Sequence, residues 1–303
     1  MSDIRGVTVR LERRLGAVTN GPCPLEGGIT NRNYRVAFAR RECVVRLLGK
    51  ETALLGISRE AERMATAAAA ALNIAPELVA ADAECLVTAY LAGEPASPRE
   101  VATMAQPLGV ALRTFHESGV ELPVRFWVPD LLRAYAGIVK ARGGRLPAAF
   151  GRACAVVDRI ARVLPLTEPV PCHNDLLPSN ILLTASGAVV LLDWEYAGMG
   201  HRLFDLGNLA VNSELGREEE ERLLSAYLER RPDERALAAL RLMRVVSDAR
   251  EAAWGVVQGA LSDLEFDFAG YAARHFTRLD GAASSPWFES ALELAGAGAH
   301  AHG

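Results

Sequence analysis

The chain has 303 residues, of which 50% are hydrophobic and 23% charged, with a formal net charge of −4. That is chain enough for a large core and one or two domains, and the charge balance excludes the basic footprint of a nucleic-acid binder. Five cysteines (Cys23, Cys43, Cys85, Cys154 and Cys172) are odd in number and form no C-x-x-C pair, so they read as buried thiols of a reducing compartment, neither zinc ligands nor a disulfide framework.

The opening MSDIRGVTVRLERR has no apolar segment of the kind a signal peptide needs. The longest apolar run, Ala65 to Leu72, is too short to span a bilayer, so a cytoplasmic location without a membrane span is expected. Two strands follow at Asn33–Phe38 and Glu42–Leu47, with charged Arg40 and Arg41 between them as in a hairpin. Ser58 is a candidate N-cap for a helix running to Leu72, ended by Asn73 and Pro76. Short strands are expected near Glu77–Ala80 and Glu84–Thr88, before the breaker-rich Leu91-Ala-Gly-Glu-Pro95. From there the chain reads as helical: Arg99–Glu117, then, after a loop at Ala141–Pro147, Arg217–Arg230, Pro232–Gly259 and Asp263–Leu279. One strand-like stretch, Ala188–Leu192, stands among these helices. The expectation is an α+β fold with a small β-rich N-terminal lobe over residues 1–90 and a larger helical lobe over 91–303. Residues after about 290 are expected to form a flexible tail.

The stretch that bears on chemistry is His173-Asn-Asp175-Leu-Leu-Pro-Ser-Asn180, then the apolar Ile181–Leu183, a Ser186-Gly187 turn, the strand and Asp193-Trp-Glu195. Phosphoryl transfer needs a carboxylate at the acceptor hydroxyl and metal ions on the phosphates. Asp175 and Asn180 fall on one tight loop, and the hairpin returns Asp193 to face them. This is the kinase spacing H-x-D-x-x-x-x-N followed by a metal-binding Asp. Asp175 then acts as base or orients the acceptor hydroxyl. Asn180 and Asp193 supply oxygens to Mg, as that hard cation prefers. His173 is a candidate for direct chemistry, with a backbone-bonding role in the loop as the alternative.

Those motifs make the chain resemble the aminoglycoside phosphotransferase and choline/ethanolamine kinase superfamily, whose fold is that of protein kinases, from about Leu25 to Leu279. Asn174 stands where protein kinases have Arg, no Ala-Pro-Glu follows Asp193 and no G-x-G-x-x-G occurs, which argues against a protein kinase. No G-x-x-x-x-G-K-[ST] is present either, which excludes a P-loop enzyme. The resemblance implies ATP as co-substrate. Leu25-Glu-Gly-Gly-Ile-Thr-Asn31 is similar to the superfamily's phosphate loop, placing Gly27, Gly28, Thr30 and Asn31 at the phosphates. Arg46 is then the strand cation on the phosphates, with Glu62 (or, second, Glu60) as its partner on the next helix. Adenine is expected at the link Thr88 to Leu91, including Tyr90.

On the acceptor side, Arg250-Glu-Ala-Ala-Trp254-Gly-Val-Val-Gln258 and Leu264-Glu-Phe266-Asp-Phe268-Ala-Gly-Tyr271 resemble the segment that forms an aromatic box in choline/ethanolamine kinases. Trp254, Phe266 and Tyr271 fall on the box positions, where ring faces hold an ammonium; core packing is the competing reading. Glu251 stands where relatives of the eukaryotic type often carry a second tryptophan, and either pairs with the ammonium or makes an unrelated ion pair. Glu195 supports the metal or the acceptor pocket, and Asp205 braces the catalytic loop. The resemblance implies a small-molecule kinase for choline or a related amino alcohol such as ethanolamine. The alternatives are an aminoglycoside, thiamine or sugar acceptor on the same machinery, or a nucleotide-binding pseudokinase.

Overall fold

A computed structural model describes residues 3–25, 32–49, 51–184 and 187–297. Its first element is a helix that the sequence reading missed, α1 (Ile4–Leu15), capped by the Asp3 side chain. Its apolar stripe is only Val7, Leu11 and Leu15, at i, i+4 and i+8 among four arginines, and it becomes a helix by docking that stripe on the sheet. The sheet is antiparallel, in the order β1 (Val18–Leu25), β2 (Arg32–Phe38), β3 (Arg41–Leu47), β5 (Cys85–Ala89), β4 (Leu78–Ala81). The expected hairpin pairs Phe38 with Arg41 and Arg32 with Leu47. Period-two alternation turns Val36 and Phe38 inward beside Cys43, Val45 and Leu47.

Between β3 and β4 lies α2 (Arg59–Ala71), with Ser58 as its N-cap, accepting the Ala61 N–H. Its small residues Ala61, Ala65 and Ala69 pack in the same core as Leu176, Ile181 and Trp194 from the later part of the chain. A helix inserted in the N-terminal sheet is thus cemented to the loop that carries the candidate catalytic residues.

After Ala89 the chain leaves the sheet. β6 (Gly93–Pro95) pairs with β8 (Ile181–Thr184), which pairs with β9 (Val189–Leu191). The helix expected over Arg99–Glu117 is two, α3 (Pro98–Thr103) and α4 (Ala105–His116). Pro107 explains the break, since in one continuous helix its ring would collide with the Thr103 carbonyl. Then come α5 (Val128–Ala141), α6 (Ala148–Val163), β7 (Val170–Cys172), β10 (Gly198–Gly200, paired with β7), α7 (Arg202–Asn212) and α8 (Arg217–Leu228). The long α9 (Glu234–Leu261) is buried on almost every side and packs against α5, α6, α7, α10 (Phe268–Ala283) and α11 (Pro286–Gly296).

Two boundaries correct the sequence reading. The last long helix starts at Phe268, five residues after the expected Asp263, because Asp267 caps it by accepting the Gly270 N–H. The chain also stays packed past residue 290: α11 buries Phe288, Ala291, Leu292 and Ala295, so no tail begins there.

Candidate active site

The loop from His173 to Asn180 leaves β7 and is held from below by α7. Asp205, fully buried, accepts the backbone N–H of His173 and of Asn174, each at 2.7 Å. Its carboxylate is held in turn by His116 Nε2 at 3.0 Å, and the other ring nitrogen of His116 lies 2.9 Å from the Tyr227 hydroxyl. One turn on, Asn208 Oδ1 accepts the Leu176 N–H at 2.5 Å. Asn174 sits at φ 67°, a left-handed conformation that asparagine tolerates, and its amide donates to the Tyr196 carbonyl. Charged and amide groups on one helix therefore fix the backbone N–H groups of His173, Asn174 and Leu176 in the loop.

His173 does not reach the reacting groups. It is buried, its Nε2–H donates to the Leu192 carbonyl at 2.8 Å, and its Nδ1 accepts the Asp175 N–H at 3.2 Å. Burial lowers its proton affinity, and the two backbone bonds fix one neutral tautomer. The sequence candidate for direct chemistry is thereby a loop organiser, because both ring nitrogens are committed to backbone.

Asp175 is 8% exposed. Its Oδ1 accepts from Arg250 Nη1 at 2.9 Å and its Oδ2 from Asn180 Nδ2 at 3.2 Å. Burial pushes this carboxyl up to about 7, with the Arg250 charge opposing the rise. Asn180 also donates to the Asp175 carbonyl at 2.9 Å, which turns its amide oxygen away from Asp175. The Leu192 N–H donates to the Asn180 carbonyl, tying the strand that precedes Asp193 to the loop. Asp193 itself adopts φ 61°.

Arg46 on β3 joins the two halves of the site. It ion-pairs with Glu62 on α2 and with Asp193. Of the two carboxylates weighed for this partner, Glu62 is buried and Glu60 exposed. Arg59 extends the pairing, 2.7 Å from Glu62 and 3.3 Å from Glu195, which is itself buried. Thr88, Tyr90 and Leu91 are half-buried at the exit from the sheet, and the Tyr90 hydroxyl accepts from Arg35. Gly27, Gly28, Thr30 and Asn31 lie outside the described residues.

The aromatic residues expected on the acceptor side are brought together. The Trp254 ring lies edge-on to Tyr271 at 5.5 Å, and Phe266 is 6.0 Å from Tyr271. Trp254 is 7% exposed and its indole N–H donates to the Tyr196 hydroxyl, whereas Phe266, 38% exposed, stands at the rim. Phe268, which the sequence reading left out, fills the space edge-on to Trp254. Of the two alternatives for Glu251, the structure shows the ion pair within the protein. Glu251 is 1% exposed, and its oxygens accept from Arg250 at 2.8 Å, the Tyr271 hydroxyl at 2.8 Å and Asn208 at 3.3 Å.

Arg250 is the residue that sequence reasoning missed. It is 2% exposed, bonded to both Asp175 and Glu251, with its guanidinium 4.3 Å over the Tyr196 ring. The signal available for it was a charged Arg-Glu pair interrupting an otherwise apolar stretch of helix.

Comparison with known proteins bears on the chain as a whole. A family model described as the phosphotransferase enzyme family matches residues 22–240. Protein LicA of Haemophilus influenzae is 27% identical over 213 residues, covering 66% of this chain and 61% of LicA, so the chain spans less than two thirds of that relative. Ethanolamine kinase 2 of Mus musculus is 28% identical over 284 residues, 83% of this chain and 73% of that protein. Among solved structures, a choline/ethanolamine kinase family protein from Mesorhizobium loti superposes with a TM-score of 0.80 at 27% identity, covering 96% of this chain and 99% of the other.

Proposed function

Because the chain belongs to the phosphotransferase enzyme family, we propose that it is a small-molecule kinase that moves the γ-phosphate of ATP onto the hydroxyl of choline or a related amino alcohol such as ethanolamine. The observation that carries the reading is the convergence of three elements on one point. Asp175 and Asn180 are bonded to each other on one loop, and Asp193 is held against Arg46 from the N-terminal sheet. In the reaction, the acceptor oxygen forms a bond to the γ-phosphorus as the bond from that phosphorus to the β,γ-bridging oxygen breaks. The bridging oxygen leaves on ADP with the electron pair, and the hydroxyl proton passes to Asp175. Asn180 and Asp193 offer oxygen donors alone, the set that suits a magnesium ion, which when bound neutralises charge on the phosphates. Arg46 holds phosphate oxygens, and Glu62 keeps its side chain aimed. Trp254, Tyr271 and Phe266 give ring faces to an ammonium head, and Phe266 at the rim controls entry.

A second reading, an uncharged acceptor such as a sugar on the same machinery, is favoured by one observation. The Glu251 carboxylate is spent on Arg250, Tyr271 and Asn208, so it offers an ammonium no open counter-charge. Release of ADP from ATP and magnesium, measured with choline, ethanolamine, thiamine, kanamycin, a neutral sugar and a blank, decides between them, with Asp175→Asn as the inactive control. Turnover with choline or ethanolamine alone is the expected result. Turnover only with another member moves the acceptor and keeps the chemistry, and a blank-level rate throughout sinks the kinase reading.

A further inference from the structure

Arg250 is used on one side only. Its Nη1 holds Asp175 at 2.9 Å and Glu251 at 2.8 Å, and its flat face lies over Tyr196. The remaining edge, Nε and Nη2, is buried and has no hydrogen-bond partner among the described residues. A guanidinium edge is a fork of two parallel N–H groups whose spacing matches two oxygens of one phosphoryl or carboxylate group. Leaving such donors buried and unmade costs free energy that a native structure normally avoids, unless something else fills the position. The guanidinium is rigid, so this edge sits one guanidinium width from the Asp175 carboxylate, the group that faces the acceptor hydroxyl in the function proposed above.

We propose that Arg250 is a phosphate-contacting residue supplied from the C-terminal helical lobe: Nη1 fixes Asp175, while the Nε–Nη2 edge receives two oxygens of the phosphoryl group in transit. This rests on the phosphotransferase reading and adds to Arg46 of the N-terminal sheet a second arginine, from the helical lobe. Glu251 and its partners Tyr271 and Asn208 hold the guanidinium in place. The identity of the neighbouring residues fits the task. Asp175 and Glu251 both lie against Nη1 and leave the Nε–Nη2 edge without a carboxylate.

The test is Arg250→Lys, which keeps a charge for Asp175 and loses the fork, alongside Arg250→Gln in case the first variant does not fold. Circular dichroism and melting check the fold. Two quantities are then measured: kcat and both KM values, and the affinity for ADP with magnesium in the presence and absence of aluminium fluoride, a mimic of the phosphoryl group in flight. The expected result is a kcat lower by roughly 100-fold or more, as for the loss of a donor to developing charge. Both KM values stay within a few-fold, ADP binds as before, and the tightening produced by aluminium fluoride is lost. If the variant instead raises only the acceptor KM, the edge belongs to the acceptor and the proposal fails. Unchanged kcat, or an unchanged aluminium fluoride effect, also overturns it and leaves Arg250 as an ion-pair partner. Failure of both variants to fold would assign the residue to the architecture and overturn it too. A wild-type protein with no magnesium-dependent turnover would sink the underlying reading first, and that outcome is seen before any variant is made.

Discussion

Individual side chains in this site are constrained by what they are bonded to more than by what they are. Two carboxylates near the acceptor position illustrate it. Asp175 keeps one oxygen toward Arg250 and the other toward Asn180, while Glu251 has three donors and almost no exposure. In the proposed function only the first exchanges a proton with a substrate hydroxyl. Trp254 is the residue that best separates an acceptor box from core packing, because its indole N–H is already satisfied by Tyr196 and only its faces and edges are left to act. Trp254→Ala is expected to raise the KM for choline or ethanolamine at least tenfold, about 1.4 kcal/mol, in line with a partly desolvated cation–π contact. The KM for ATP should move by less than twofold. Steady-state kinetics with each substrate varied in turn checks this, and equal shifts in both KM values would make Trp254 a core residue.

At the scale of elements, α7 is the brace on which the catalytic loop rests. Its N-terminus is capped by an unusual residue. His201 Nδ1 accepts the Leu203 N–H at 3.2 Å, which requires the ring to be neutral. Burial, with the Arg202 and His116 charges adding to it, lowers the His201 pKa to about 4. A folded-state value below the unfolded one means the unfolded chain binds the extra proton first. The stabilisation is therefore full above pH 6.5 and is lost as the pH falls toward 4, by up to about 2 kcal/mol between pH 7 and pH 5. Thermal melts at those two pH values are expected to show that loss in the wild type and a clearly smaller one in His201→Asn, which caps without titrating. An identical loss in both proteins would remove His201 as its source. The same helix shows why α9 was placed so well by its sequence. Gly207 of α7 lies so close to α9 that a Cβ there would stand 2.7 Å from the Met243 carbonyl carbon. Two helices meeting backbone to backbone leave little freedom for either.

For the molecule as a whole, the ionic chain Glu195–Arg59–Glu62–Arg46–Asp193 spans the N-terminal sheet, α2 and the turn after β9. It lies where the two lobes meet, with α2 sharing the core under the catalytic loop. Binding of magnesium and ATP to the folded form alone should stabilise the protein by about 2.7 kcal/mol at a hundredfold excess over Kd. Arg46→Met, which cannot pair with phosphates, is expected to gain about 1.4 kcal/mol less for each tenfold of affinity lost. Melting curves with and without nucleotide measure both. Equal gains in the two proteins would take Arg46 out of the nucleotide site.

The sequence by itself determined most of the local elements and the family to which the chain belongs. Period-two alternation over Asn33–Leu47, the Ser58 cap and the spacing from His173 to Asp193 are all local in the chain, and each implies its structure through short-range sterics and hydrogen bonding. It was also enough to pair Arg46 with an acid on α2. What lay outside it was decided by contacts between distant segments. The stripe Val7, Leu11 and Leu15 is a helix only once a sheet exists to receive it, and Pro107 forced a restart that the apolar periodicity concealed. Glu251 was open to two partners on paper, and it is the fold that brings Tyr271 and Asn208 to it, from two other helices. Arg250 stood only as the first residue of the aromatic segment, with no role of its own. Its role depends on burial beside Asp175, 75 positions away, and a low-dielectric site made by the two lobes together is a property that no single segment contains.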